Sequence, residues 1–275
     1  MAAYKASDVE QGRAPVAVAA RSDNWWYEPA LIIITLVAFS VYAVWRAWEG
    51  SYFNATQSLQ HGVQWAPAYL SPFYSPPIHE WFPHLTVFRH ISPAFFVLIF
   101  PLSFRATCYY CRRSYYRAFF WDPPACGMHE PFMKRRKAYT GESRFPFTLQ
   151  NLHRYALYLI LIVVVFHYIH LYDSFWMVNS AQARRPGVGM GTVILFVDTL
   201  MLTLYVFSCH AWRHFIGGGL DRMSNAPLRA RLWSWVTVLN ARHGLYFWIS
   251  LITVGLADFY VRLVASGAIT DLRIV

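Results

Sequence analysis

Residues 152–175 read LHRYALYLILIVVVFHYIHLYDSF, a run without Lys or Glu and with polar groups gathered at its two ends. An α-helix needs about 20 apolar residues to cross the hydrocarbon core of a bilayer, and this stretch is long enough. Four more follow the same pattern: about 29–48, 86–104, 192–214 and 243–264. The second is the weakest, because it contains Arg89, His90 and Pro101. The reading is an all-α, integral membrane bundle of five transmembrane helices. Composition agrees: 56% of residues are hydrophobic and only 14% charged, well below the roughly 25% usual in soluble domains. The aromatic share of 19% suits rings that wet one polar edge at the headgroups.

Loop charge orients the bundle. Lys5, Arg13 and Arg21 precede the first span; Arg105, Arg112, Arg113, Arg117, Lys134, Arg135, Arg136, Lys137 and Arg144 follow the second; Arg222, Arg229, Arg231 and Arg242 lie between the fourth and fifth. The opposite side holds Arg184, Arg185 and Arg273, with Arg46 and Arg262 near helix ends. The asymmetry predicts a cytoplasmic N-terminus, an outside C-terminus and a multi-pass protein of the bacterial plasma membrane. It also accounts for the net charge of +10 as a topology signal and a surface for acidic phospholipid or a partner, against a nucleic-acid role. Residues 1–24 form a polar cytoplasmic segment, too mixed in charge for a signal peptide. Residues 50–85, rich in Pro and aromatics, form an outer cap, and residues 105–150 a basic cytoplasmic loop. Asn151 and Asn240 stand where helix N-caps are expected, and Gly217 to Gly219 where the fourth span stops.

Once orientation is set, residues far apart in sequence share one depth. Cys108 and Cys111 follow the second span, Cys126 and His129 lie in the basic loop, His153 opens the third span, Cys209, His210 and His214 close the fourth, and His243 opens the fifth. In a reducing compartment disulfides are disfavoured. Three chemistries use such donors: two imidazoles around haem, two Cys and two His around a Rieske-type [2Fe–2S] cluster, or tetrahedral zinc. Zinc suits the Cys108-x-x-Cys111 and Cys126-x-x-His129 spacing and leaves the helix-borne His153, His210 and His243 unused. Cys209 and Cys111 also read as small packing residues. Towards the outside lie His84, His90, His167 and His170 with Asp198 and Asp258; His90 with Asp198 reads as a second haem site, a proton path or a buried polar pair near Arg89, and Asp198 with Asp258 as the intramembrane path of a transporter.

The segments FRATCYYCRRSYYRAFF (104–120), WDPPAC (121–126), YTGE (139–142), QNLHRY (150–155), SCHAWRH (208–214) and DFYVR (258–262) resemble those of a bacterial membrane anchor subunit of succinate dehydrogenase, respiratory complex II. The resemblance implies flavoprotein and iron–sulfur subunits as partners, a higher oligomer of the complex, and quinone as the electron acceptor. Succinate oxidation would belong to the partners. It favours a Rieske-type [2Fe–2S] centre held by Cys108, Cys126, His153 and His243, with His210 as the alternative imidazole and haem b as the alternative cofactor. Arg154, Tyr155, His214 and Trp121 are then the expected quinone contacts.

Overall fold

The computed structural model describes residues 23–82, 84, 91–121, 143, 145 and 147–274. Its helices are α1 (Tyr27–Glu49), α2 (Ile78–Trp81), α3 (Pro93–Thr107), α4 (Tyr109–Phe120), α5 (His153–Asp173), α6 (Met190–Phe207), α7 (His210–Gly217), α8 (Pro227–Asn240) and α9 (His243–Ala265). Four of them, α1, α5, α6 and α9, are long and apolar enough to span a membrane, and α3 with α4 makes a fifth candidate bent by 80°. The bundle is inverted relative to a soluble protein: Val41, Val165, Phe196, Ile252 and Leu256 face outward, as lipid-facing side chains do.

Two of the expected spans end differently from their sequence reading. The second helix runs 93–107, and residues 86–90 of the expected span lie outside those described. Cys108 then takes an extended backbone that serves as C-cap of α3 and N-cap of α4. The bend has a compositional cause: α4 carries Arg112, Arg113 and Arg117 among its tyrosines, and so many charges are too costly to continue through hydrocarbon. The fourth span stops at Phe207, not His214. Cys209, again extended, caps α7 with its own sulfur, which accepts from the Ala211 N–H. The Asn caps are not used either. A 3₁₀ turn (Phe147–Leu152) leads into α5, α9 begins after Arg242, and the Asn240 amide donates to the Ser208 carbonyl at 2.8 Å.

At the opposite end, the 3₁₀ turns Ala55–His61 and Pro72–Tyr74 pack against α3 and α9. A small antiparallel sheet, unforeseen in the sequence, joins β1 (Ala66–Pro67), β2 (Trp176–Val178) and β3 (Arg184–Pro186) in that order. Arg46 of α1 is fully buried there and grips Asp258 of α9 through Nε at 2.7 Å and Nη2 at 3.1 Å. Asp258 also accepts from Tyr42 and Ser71, while Arg262 grips Glu49 at 2.7 Å. Tyr69 donates to Asp271 at 2.7 Å, which ties the tail to the cap. Burial, with Asp271 at its hydroxyl, pushes the Tyr69 phenol well above its usual range, so it remains a donor. Its ring lies over Gly191, where an added Cβ would sit 2.2 Å from it. Only glycine permits that approach.

Candidate metal centre at the basic end

Cys108 and Cys209 occupy the two extended hinge residues at which a spanning helix breaks, and His153 and His243 are each the first residue of a spanning helix. Breaks and starts meet at the same end of the bundle, so four donors from four elements lie there as two pairs. His243 Nε2 lies 3.3 Å from Cys108 Sγ, and His153 Nε2 lies 3.0 Å from Cys209 Sγ. Both pairs are set among Phe104, Leu157, Ile160 and Phe247 in the largely apolar core of this end.

The second nitrogen of each imidazole is held in the same way. His243 Nδ1 meets the Ser208 hydroxyl at 2.8 Å, and His153 Nδ1 meets the Thr107 hydroxyl at 2.9 Å. A hydroxyl on Nδ1 fixes the ring and leaves the Nε2 lone pair for a metal, the arrangement found around ligating histidines. Phe104 stacks on His153 at 4.7 Å and Tyr205 on His243 at 5.0 Å. Arg105 lies over Tyr205, 4.6 Å from the ring centroid, and donates to the Phe247 carbonyl and Ser250. Tyr205 is thus the one ring between this cation and His243. Gly244, next to His243, lets Tyr110 cover the helix start, since a Cβ there would meet the ring at 2.4 Å.

Of the expected ligands, Cys108, His153 and His243 are brought together, and Cys126 lies outside the described residues along with His129. Cys209 takes a place in the cluster that its sequence reading as a packing residue did not give it. Ser208, Thr107, Tyr205 and Arg105 also escaped the sequence. Three described cysteines, Cys108, Cys111 and Cys209, are free thiols, and Cys111 Sγ sits 3.8 Å from the Tyr205 hydroxyl. His210 is exposed and pairs with His214, Nε2 to Nε2 at 2.9 Å, beside the cluster and not in it. Partial burial next to His214 and Arg213 holds the His210 imidazole below its usual value.

Of the expected quinone contacts, His214 is exposed on α7. Arg154 and Tyr155 are exposed on the first turn of α5, whereas Trp121 ends α4 against Trp25 and beneath Arg117. An apolar cavity of about 590 Å³ instead runs between α1, α3, α5 and α9, with Phe39, Leu98 and Leu251 in its walls and Arg105, Ser114 and Tyr115 as polar groups towards the basic end. Among the described residues no three His, Cys, Asp or Glu side chains converge as for a single metal ion. The donors come as two sulfur–nitrogen pairs.

Residues 27–267 match the family model described as actinobacterial succinate dehydrogenase subunit SdhC. Among solved structures, a chain of the Mycobacterium smegmatis Sdh1 complex in the apo form is similar, with a TM-score of 0.76 and 38% identity over 96% of this chain and 97% of that one. No curated protein sequence matches.

Proposed function

Since this chain belongs to the actinobacterial succinate dehydrogenase subunit SdhC family, we propose that it receives electrons from the iron–sulfur subunit of that enzyme at its basic end and passes them to quinone. The observation that carries the reading is the presence at one end of two thiol–imidazole pairs, each ring locked through Nδ1 by a hydroxyl. That donor set fits a [2Fe–2S] cluster of Rieske type, which takes two Cys and two His. Cys108, Cys209, His153 and His243 would hold it, and it would supply one-electron transfer inside the membrane domain. Haem has the weaker case, because both imidazoles are directed at sulfur.

The protein's own groups do the rest. Arg113, Arg222, Arg231 and Arg242 are exposed at the basic end and give an iron–sulfur partner a complementary surface. The cavity takes the apolar quinone tail, and its head group lies where the wall turns polar at Ser114, Tyr115 and Arg105. Orientation by loop charge puts this end in the cytoplasm.

The test uses the intact complex. His153→Ala and His243→Ala should each abolish quinone reduction, remove the iron of one cluster and its mixed Cys/His paramagnetic resonance signal, and leave dye-linked succinate oxidation intact. Full quinone activity in both variants, or a Soret band in the wild type, overturns the assignment.

A further inference from the structure

Deeper in the bundle lies a titratable pair that electron transfer at the basic end does not use. Asp198 of α6 is wholly buried and His167 of α5 nearly so. Asp198 Oδ2 and His167 Nε2 lie 3.9 Å apart, and neither atom has a hydrogen-bond partner among the described residues. From α9, Thr253 donates to the other carboxylate oxygen at 3.1 Å. His167 Nδ1 lies 2.8 Å from the Val163 carbonyl.

That last contact decides the protonation logic. A carbonyl oxygen only accepts, so Nδ1 carries a hydrogen and the Nε2 of a neutral ring is a lone pair. An ionised Asp198 would then face a lone pair in an apolar bundle, a costly arrangement. The cation whose field reaches it, Arg105 of α3, is committed to Phe247 and Ser250. One added proton on Oδ2 turns the repulsion into a hydrogen bond from the neutral carboxyl to the Nε2 lone pair.

The same helix connects the pair to the cap end. His167, His170 and Asp173 recur at a spacing of three on α5 and therefore share a face. Their side chains are 5%, 15% and 36% exposed in that order. His170 Nδ1 is 3.9 Å from Asp173 Oδ2, and Asp173 lies beside Arg184 of β3. With a rise of roughly 1.5 Å per residue, His167 stands about 20 Å from His153; it borders the apolar cavity, while His170 and Asp173 lead on towards the cap.

We propose that His167 and Asp198 share one exchangeable proton inside the bundle, and that His170 and Asp173 form the route by which it reaches the cap-end surface. The proton enters and leaves by this face. No electron accompanies it.

Infrared spectroscopy of the intact complex, transferred from H₂O to D₂O, tests this. The wild type should show the carbonyl stretch of a neutral carboxylic acid that shifts on deuteration. Asp198→Asn, close in shape to the native residue, should remove that band, and Thr253→Val, which leaves both titrating groups in place, should move it. His170→Leu should keep the band and slow its deuteration several-fold. A band that survives Asp198→Asn, a wild type without one, or an unchanged exchange rate in His170→Leu overturns the proposal. Dye-linked succinate oxidation and co-purification report that each variant is assembled. Because the measurement needs no electron from the metal centre, its outcome is separate from that of the quinone-reduction test.

Discussion

The two ends of the bundle bury polar groups in opposite ways. At the cap, Arg46 has a partner for every nitrogen: Asp258, Glu49 and the Ser51 and Tyr52 carbonyls. Asp258 is in turn saturated by Arg46, Tyr42 and Ser71. At the basic end the buried donors are uncharged or titratable, each imidazole is fixed at one nitrogen, and the other nitrogen is left against a soft sulfur. A closed network holds helices together. A set of half-satisfied donors suits the cofactor proposed for it. Asp258, for which the sequence left a transport path as one alternative, therefore belongs to the structural end.

The largest effect should come from opening the closed network. Removing one member of a buried ion pair leaves the other uncompensated, at about 3–5 kcal/mol. Arg46→Ala should thus lower the thermal stability of the complex severely and reduce its assembly, without altering the paramagnetic resonance spectrum of whatever fraction assembles. Replacing both partners together, Arg46→Met with Asp258→Leu, should recover much of the loss, because buried pairs are often close to neutral against apolar replacements. A spectrum changed by Arg46→Ala would mean that the two ends are coupled.

A smaller effect is expected at the half-satisfied end. Ser208→Ala removes the hydroxyl from His243 Nδ1, and the loss of such an outer partner typically costs about 10–100-fold in metal affinity or activity. Iron content and the midpoint potential of the centre, measured on the intact complex, report the change. Global stability should hardly move. Equal iron content and an unchanged potential would remove Ser208 from the site.

The sequence carried the bundle and most of the cluster, and its failures have physical reasons. Helix spans and loop charges are properties of composition, so the spanning helices and the basic end were readable directly. His153 and His243 were legible because each opens a span. Cys209 was not, because the break after Phe207 contains no Pro or Gly, and a lone Cys in an apolar run reads as packing. Its signal was positional: it repeats, at the end of α6, the place Cys108 holds at the end of α3. The His167–Asp198 pair was similarly hidden, since two polar residues on different helices declare themselves only when the helices are packed.

Asn240 supplies the finest test, because sequence and structure give it different tasks. As an N-cap of α9 its oxygen would accept from the backbone, and Asn240→Asp would preserve or improve the cap. In the structure its amide nitrogen donates to the Ser208 carbonyl, next to the hydroxyl that fixes His243. Aspartate has no hydrogen to offer there. Both Asn240→Ala and Asn240→Asp should therefore destabilise the hinge by about 0.5–1.5 kcal/mol, the usual net worth of one hydrogen bond. They should also shift the midpoint potential in the direction of Ser208→Ala, to a smaller extent. An Asn240→Asp complex as stable as the wild type, with an unchanged potential, would return Asn240 to the role of a cap and show that the hinge carrying Cys209 is held by α6 and α7 alone.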